Sequence, residues 1–308
     1  MIAIPDLPPI RERGAPAEGK NPSAGVAVPS REGEAGALHL GATGVALAAA
    51  AAGVDFGSGT AVLLCCGAIL LLGLPHGALD MVALLGASPR ARERAIASYL
   101  ALAGAMAALW WAVPGAALLL FFAIALGHFS EDWPGPGLIA HGGALALLAA
   151  PMLFHRGEID GLFAIIAGPR AIPPLADSLL LVAPVALAAG LTGCALLWSA
   201  GRSMLAGSSA AALAGMVLLP PLAGFALSFG LFHSPRQFAR GLAGLGGQPW
   251  RVPVTAASGA AILLVVGIAR FGTPQLLSVG VLRGTFVVLS VLTVPHMMLP
   301  LILRSSRA

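Results

Sequence analysis

From about Leu38 to the C-terminus the chain is a succession of apolar runs separated by short polar or proline-bearing breaks. Runs of about 18 or more apolar residues are long enough to cross a ~30 Å hydrocarbon core as helix. Only helices and closed barrels satisfy their backbone in lipid, and the alternating segments of roughly ten residues that build a barrel are missing, so the runs read as helices. The pattern predicts spans near 38–54, 60–85, 95–113, 115–130, 138–155, 178–199, 204–219, 222–241, 254–270 and 276–303. Pro220 and Pro221 split a stretch, 204–233, that is too long for one crossing and whose prolines each remove a backbone donor. Segment 157–177, with Pro173-Pro174, reads as an outer loop or a partly inserted turn. Before residue 37 the pattern is different: Pro, Gly and charged residues alternate and no apolar segment follows a basic one. The expected organisation is a disordered cytoplasmic N-terminal tail at 1–36, not a cleaved signal peptide, and a transmembrane helical domain at 37–308. The fold class is all-α, a polytopic bundle of about eight to ten spans.

Composition supports this reading. The chain is 58% hydrophobic and 10% charged, with a mean hydropathy of +0.91, against about 25% charged residues in an ordinary soluble domain. Its net charge is +4, but the arginines are scattered over short loops and form no tract, which excludes nucleic-acid binding and leaves them as topology signals. Ten crossings with a cytoplasmic N-terminus put Arg90, Arg92, Arg94, Arg202, Arg236, Arg240, Arg251, Arg304 and Arg307 inside, and only Arg156, Arg170 and Arg270 outside. Merging 204–233 into one span moves Arg236, Arg240 and Arg251 outward, so the break is preferred. The expected location is the cell inner membrane, multi-pass. Trp110, Trp111, Trp133, Trp198 and Trp250 fall at or just beyond span ends, where an indole is half wet. Cys65, Cys66 and Cys194 have no metal or redox spacing and read as small core residues. The 40 glycines suit close packing through small residues, as in the stretch from Gly259 to Gly267.

Ionisable groups inside such runs need a reason. His76, His128, His233 and His296 all fall in the inner half of spans that run from outside to inside. Four helices of one direction, each offering an imidazole at a similar depth, are what a metal site in the core of a bundle requires. His76 and Asp80, like His128 and Asp132, stand at i and i+4, so each pair shares a face if its helix continues through it. A ligating imidazole gives its second N–H to a carboxylate or carbonyl, the role expected of Asp80 and Asp132. The bland reading of any single one of these histidines is a core residue bonded to a carbonyl; four at one depth favour a shared site. His141 stands at the start of its span, as a spare ligand or a helix-end residue; His155 belongs to the outer interface and His39 to the start of the first span. Phe225, Phe229 and Phe232 form a stripe leading to His233, read either as ordinary packing or as the channel of a long apolar ligand, with Phe121, Phe122 and Phe129 as its opposite wall.

The stretches P-H-G-A-L-D at 75–80, H-F-S-E-D-W at 128–133, F-H-S-P-R-Q at 232–237 and T-V-P-H-M at 293–297 occur in one order in a polytopic chain. Together they resemble the Brp/Blh family of integral-membrane β-carotene 15,15′-dioxygenases, from about residue 60 to the C-terminus. The resemblance implies cleavage of the central double bond of β-carotene by O2 to two all-trans-retinal, with Fe(2+) as cofactor, the lipid bilayer as surroundings and a retinal-binding protein as a recipient of product. It implies His76, His128 and His233 as iron ligands. The chain departs from the family pattern at Gln237, where H-S-x-x-H would place a second histidine; an amide is a weaker ligand for Fe(II) than imidazole, and His296 is the compensating fourth ligand. No catalytic residue beyond the metal ligands is expected.

Two other classes share these features: a non-catalytic carotenoid- or retinal-binding membrane protein, and a proton-coupled transporter using His and Asp as a relay. Iron content separates the enzyme from both. The topology carries its own prediction: a cysteine introduced beside Arg90, Arg92 and Arg94 is expected to react with membrane-impermeant reagent only from the cytoplasmic side, and labelling from the periplasm alone overturns the inside-out order of the spans.

Overall fold

In the computed structural model the backbone is described over residues 28–245, 249–270 and 274–305. Its helices are α1 (Val28–Ala51), α2 (Gly59–Gly77), α3 (Leu79–Leu85), α4 (Pro89–Ala112), α5 (Pro114–Ser130), α6 (Gly137–Ala149), α7 (Arg156–Ala167), α8 (Ile172–Ser199), α9 (Ser203–Leu218), α10 (Pro221–Leu227), α11 (Ser234–Gly244), α12 (Arg251–Arg270) and α13 (Pro274–Ser305). No strand occurs among the described residues. Pro89, Pro114 and Pro221 each open a helix, where a missing N–H costs nothing and a preset φ helps. The break at Pro220 is as expected: Leu219 is extended, and α10 starts afresh at Pro221. Between α10 and α11 lies a wide π turn, Ser228–His233. Helix α1 begins nine residues before the boundary drawn at residue 37, because the polar segment 28–36 propagates the helix outward; residues 1–27 lie outside the described ones.

Among the described residues, four helical stretches are long and apolar enough to cross a bilayer unaided: Gly59–Leu85, Pro89–Ala112, Pro174–Ser199 and Val279–Leu303. A fifth arises if Gly137–Leu153 and Arg156–Ala167, bent by 107°, count as one broken span. This is fewer than eight to ten, and for two of the expected spans the reason is length. Helices of 17 and 16 residues, Pro114–Ser130 and Ser203–Leu218, reach only about 25 Å at ~1.5 Å per residue. Of the two readings of 157–177, an outer loop or a partly inserted turn, the bend fits the second: the chain there is helical, α7 followed by the start of α8, and α7 lays Ile159, Phe163 and Ile166 into the core.

Small residues bring the helices together, though not where the sequence suggested. A Cβ on Gly142 of α6 would stand 2.6 Å from that of Ala189 in α8, and one on Gly190 would stand 2.8 Å from that of Ala146, so the two helices touch almost backbone to backbone. At Gly259 a Cβ would meet nothing, and the Gly267 side lies outside the described surroundings. Of the tryptophans, Trp111 and Trp198 are exposed, as at an interface, but Trp110 and Trp133 are core residues. Trp110 donates to Ser290 Oγ, and the Trp133 ring lies against Gly143. Cys66 is fully buried among apolar side chains and all three cysteines are free.

A close approach of backbone to backbone tests the packing. Gly224 of α10 faces the backbone of Gly215 and Met216 in α9, atoms that no rotamer change can move aside. Gly224→Ala is expected to lower stability by roughly 1–3 kcal/mol through overpacking, seen as a fall in the melting temperature of the purified protein in detergent. An unchanged melting temperature contradicts the close α9–α10 contact.

Candidate metal centre

The four histidines expected at one depth meet in space. His76 lies in the last turn of α2, His128 in the last turn of α5, His233 closes the π turn, and His296 follows Pro295 in α13. Ring centroids are 4.5 Å apart for His128 and His233, 5.2 Å for His128 and His296, 5.4 Å for His76 and His233, 5.6 Å for His76 and His296, and 6.1 Å for His76 and His128. Potential ligand atoms of His76, His128 and His296 all lie within 4.8 Å of one another, a grouping that could hold a metal ion.

The outer nitrogen of three of these rings is tied down, which decides what the other nitrogen can do. His296 Nδ1 stands 2.9 Å from both carboxylate oxygens of Asp80, and His233 Nδ1 stands 2.6 Å from Asp132 Oδ2. Each therefore carries its proton on Nδ1 and keeps a lone pair on Nε2. His76 Nδ1 lies 3.1 Å from Ser234 Oγ. Ser234 donates its own proton to the Leu72 carbonyl, so its oxygen accepts from His76 and fixes the same tautomer. His233 Nε2 and His128 Nε2 face each other at 3.1 Å. His128 Nδ1 is buried and without a hydrogen-bond partner among the described residues, the nearest carboxylate oxygen, on Glu131, being 3.9 Å away. With the His233 proton on Nδ1, His128 donates from Nε2 in this contact; once the His128 proton leaves, both facing nitrogens can serve a cation. The donor set, neutral imidazoles backed by carboxylates, suits a divalent first-row metal such as iron.

Asp132 has a fully buried carboxylate, held by more than one residue. Besides His233 it accepts from Arg240 Nη2 at 3.1 Å and from the Gln237 amide at 3.4 Å. Asp80 also accepts from the Tyr99 hydroxyl at 3.3 Å. Beside the histidines lies a cavity of about 300 Å³ lined by His76, His128, His296, Tyr99, Phe121, Phe129, Phe225 and Phe229. Its walls are otherwise almost wholly hydrocarbon.

The structure re-pairs the residues singled out in the sequence. Asp80 serves His296, not His76, and Asp132 serves His233, not His128. The i,i+4 argument fails at helix breaks: a turn at Ala78 separates His76 at the end of α2 from Asp80 in the first turn of α3, and α5 ends at Ser130 before Asp132. Gln237 reaches Asp132 and stands behind His233, on the side away from the facing Nε2 edges. Phe225 and Phe229 stack on each other and line the cavity, whereas Phe232 turns away to pack on His39, Trp133 and Arg236. The wide π turn is the cause, since it sets Phe229 and His233 on one face and rotates Phe232 off it. Phe121 and Phe129 do form the facing wall. His155 bonds the Val217 carbonyl, His141 bonds the Gly137 carbonyl, and His39 is buried outside the group. Ser234, Tyr99 and Arg240 were not anticipated; the H-S pair at 233–234 was the available signal for the first.

The sequence is similar to known proteins. A sequence model described as β-carotene 15,15′-dioxygenase matches residues 67–304. A protein named β-carotene 15,15′-dioxygenase, from uncultured marine bacterium 66A03, is 29% identical over 268 residues, covering 75% of this chain and 90% of the relative. No solved structure matches. The matched stretch contains all four histidines and Ser234.

Ser234→Ala is expected to free the His76 ring and weaken divalent-metal binding about 10- to 100-fold, the usual cost of losing a hydrogen-bond partner of a ligand. Cobalt(II) titration followed by absorbance measures it, and an unchanged affinity removes Ser234 from the site.

Proposed function

The chain belongs to the β-carotene 15,15′-dioxygenase family, and from that premise we propose that it cleaves the central double bond of β-carotene with O2, giving two molecules of retinal, at a non-haem iron held by His76, His128, His296 and His233. The observation that carries the reading is the convergence of four imidazoles, three with their outer nitrogen already engaged, of which His76, His128 and His296 line a cavity whose other walls are almost all hydrocarbon.

The residues have separate tasks. Asp80, Ser234 and Asp132 engage Nδ1 on three rings, which leaves Nε2 of each as the nitrogen available to an ion. Bound Fe(II) supplies the activation of O2, chemistry that no side chain provides. Phe121, Phe129, Phe225 and Phe229 offer apolar faces to a polyene and keep water from the reacting bond. Arg240 offsets the charge of Asp132, which otherwise stands buried beside a neutral ring. His296 takes the ligand place at which Gln237 departs from the family pattern, and the Gln237 amide supports Asp132 from behind.

Expression in carotene-accumulating cells is expected to bleach them and to yield retinal, with about one iron per chain after anaerobic loading. His296→Ala removes one imidazole of four and is expected to abolish both. Gln237→His is expected to leave iron content unchanged and activity within a few-fold, because position 237 addresses Asp132 and not the centre. Absence of iron from the loaded protein overturns the enzyme reading; intact iron in His296→Ala, together with a large gain in Gln237→His, shifts the fourth ligand to position 237.

A further inference from the structure

We infer that α7, the turned-in arm of the bent α6–α7 pair, is the stop that sets which bond of a bound polyene lies at the histidines. This depends on the carotenoid-cleaving reading above and adds to it the determinant of cleavage position. A second cavity, about 80 Å³, lies beyond the one at the histidines and shares Phe121, Ala125, Phe129 and Phe225 with it. Every residue lining this inner chamber is apolar, and Ile159, Phe163 and Ile166 of α7, none of which reaches the histidine cavity, form part of its wall. A run of ring contacts links the histidines to Phe163. Phe229 meets Phe225 at 5.4 Å, Phe225 meets Phe286 at 5.6 Å, Phe286 meets Phe121 at 6.5 Å, Phe121 meets Phe122 at 6.3 Å, and Phe122 meets Phe163 at 5.5 Å. Along α5 the corridor runs from His128 back to Leu118, ten residues or about 15 Å of helix.

A hydrocarbon chain offers no group that a wall of methyls and rings can recognise, so nothing along this corridor distinguishes one double bond from the next. Register must then come from an end that the chain cannot pass. Helix α7 is held firmly enough to be one. His155 Nε2 bonds the Val217 carbonyl at 2.9 Å, and Arg156 bonds Asp160 at 2.8 Å and Asp177 of α8 at 2.9 Å, fixing the start of α7 against its neighbours. Its inward residues stand at i, i+4 and i+7, one continuous face. The inner chamber is narrow, with aromatic side chains at its neck, and a polyene end that enters it turns those rings aside until it meets Phe163.

The native protein is assayed with β-carotene and with apocarotenoids that keep one intact ring but differ in the length of the open end; the aldehydes are identified by mass. A stop at α7 holds the ring end, so the ring-side fragment is expected to be the same for every substrate. Phe163→Ala, which deepens the chamber, is expected to give a new pair of aldehydes from β-carotene, one longer and one shorter than retinal. Phe163→Trp is expected to shorten the ring-side fragment. Ring-side fragments that change with the open end overturn the stop, as do unaltered products from an active Phe163→Ala; the measurement on native protein decides the matter even if neither variant folds. Failure of the native protein to cleave any carotenoid overturns the reading beneath it.

Discussion

An imidazole enclosed in a membrane bundle has two nitrogens and no water to satisfy the outer one, and an unpaired polar group there costs several kcal/mol. Three of the four clustered rings meet this demand with a protein partner: Asp80, Ser234 or Asp132. Each partner comes from a different element from its histidine, so every such bond ties two parts of the chain together. His296 joins α13 to α3, His76 joins α2 to α11, and His233 joins the π turn to the segment after α5. The contacts that orient the rings thus also tie together elements distant in the chain, beside the small-residue packing that holds α6 to α8 and α9 to α10.

How far the sequence discloses this depends on which kind of information each feature uses. Depth in the membrane follows from where a residue falls within an apolar run, and on that basis His76, His128, His233 and His296 were already one group. Partnership depends on where helices stop, which the hydrophobic pattern does not mark within several residues. Asp80 lies past the end of α2 and Asp132 past the end of α5, so a face drawn through either pair crosses a break. Phe232 misleads for a related reason: a period of 3.6 assigns it to the Phe225 face, and one wide turn takes it off. Helix α7 was hidden because its apolar stripe is too short to read as a span and turns through 107° from α6.

Those same breaks suit the centre. His76 and His128 sit in the last turns of α2 and α5, where the peptide dipoles leave partial negative charge. Asp80 and Asp132 add two carboxylates behind the rings, against one nearby guanidinium, Arg240. Glu131, with an oxygen 3.9 Å from His128 Nδ1, adds to the negative side. On the metal-centre reading proposed above, a cation among the rings would be favoured by this charge as well as by their lone pairs.

The hydrogen-bonding capacity of the region is turned almost entirely toward this scaffold. Two hydroxyls border the histidine cavity, and both face partners of their own: Tyr99 donates to Asp80, and Thr293 Oγ1 donates to the Leu289 carbonyl at 2.7 Å. What remains for a substrate is a surface of rings and methyls with no free donor directed at it from either hydroxyl. Such a wall holds a molecule by area and excludes water from it, but it cannot read chemical identity. On the carotenoid-cleaving reading proposed above, selectivity therefore falls to shape: the width between the phenylalanines and the distance to the first obstruction would decide what binds and where it is placed.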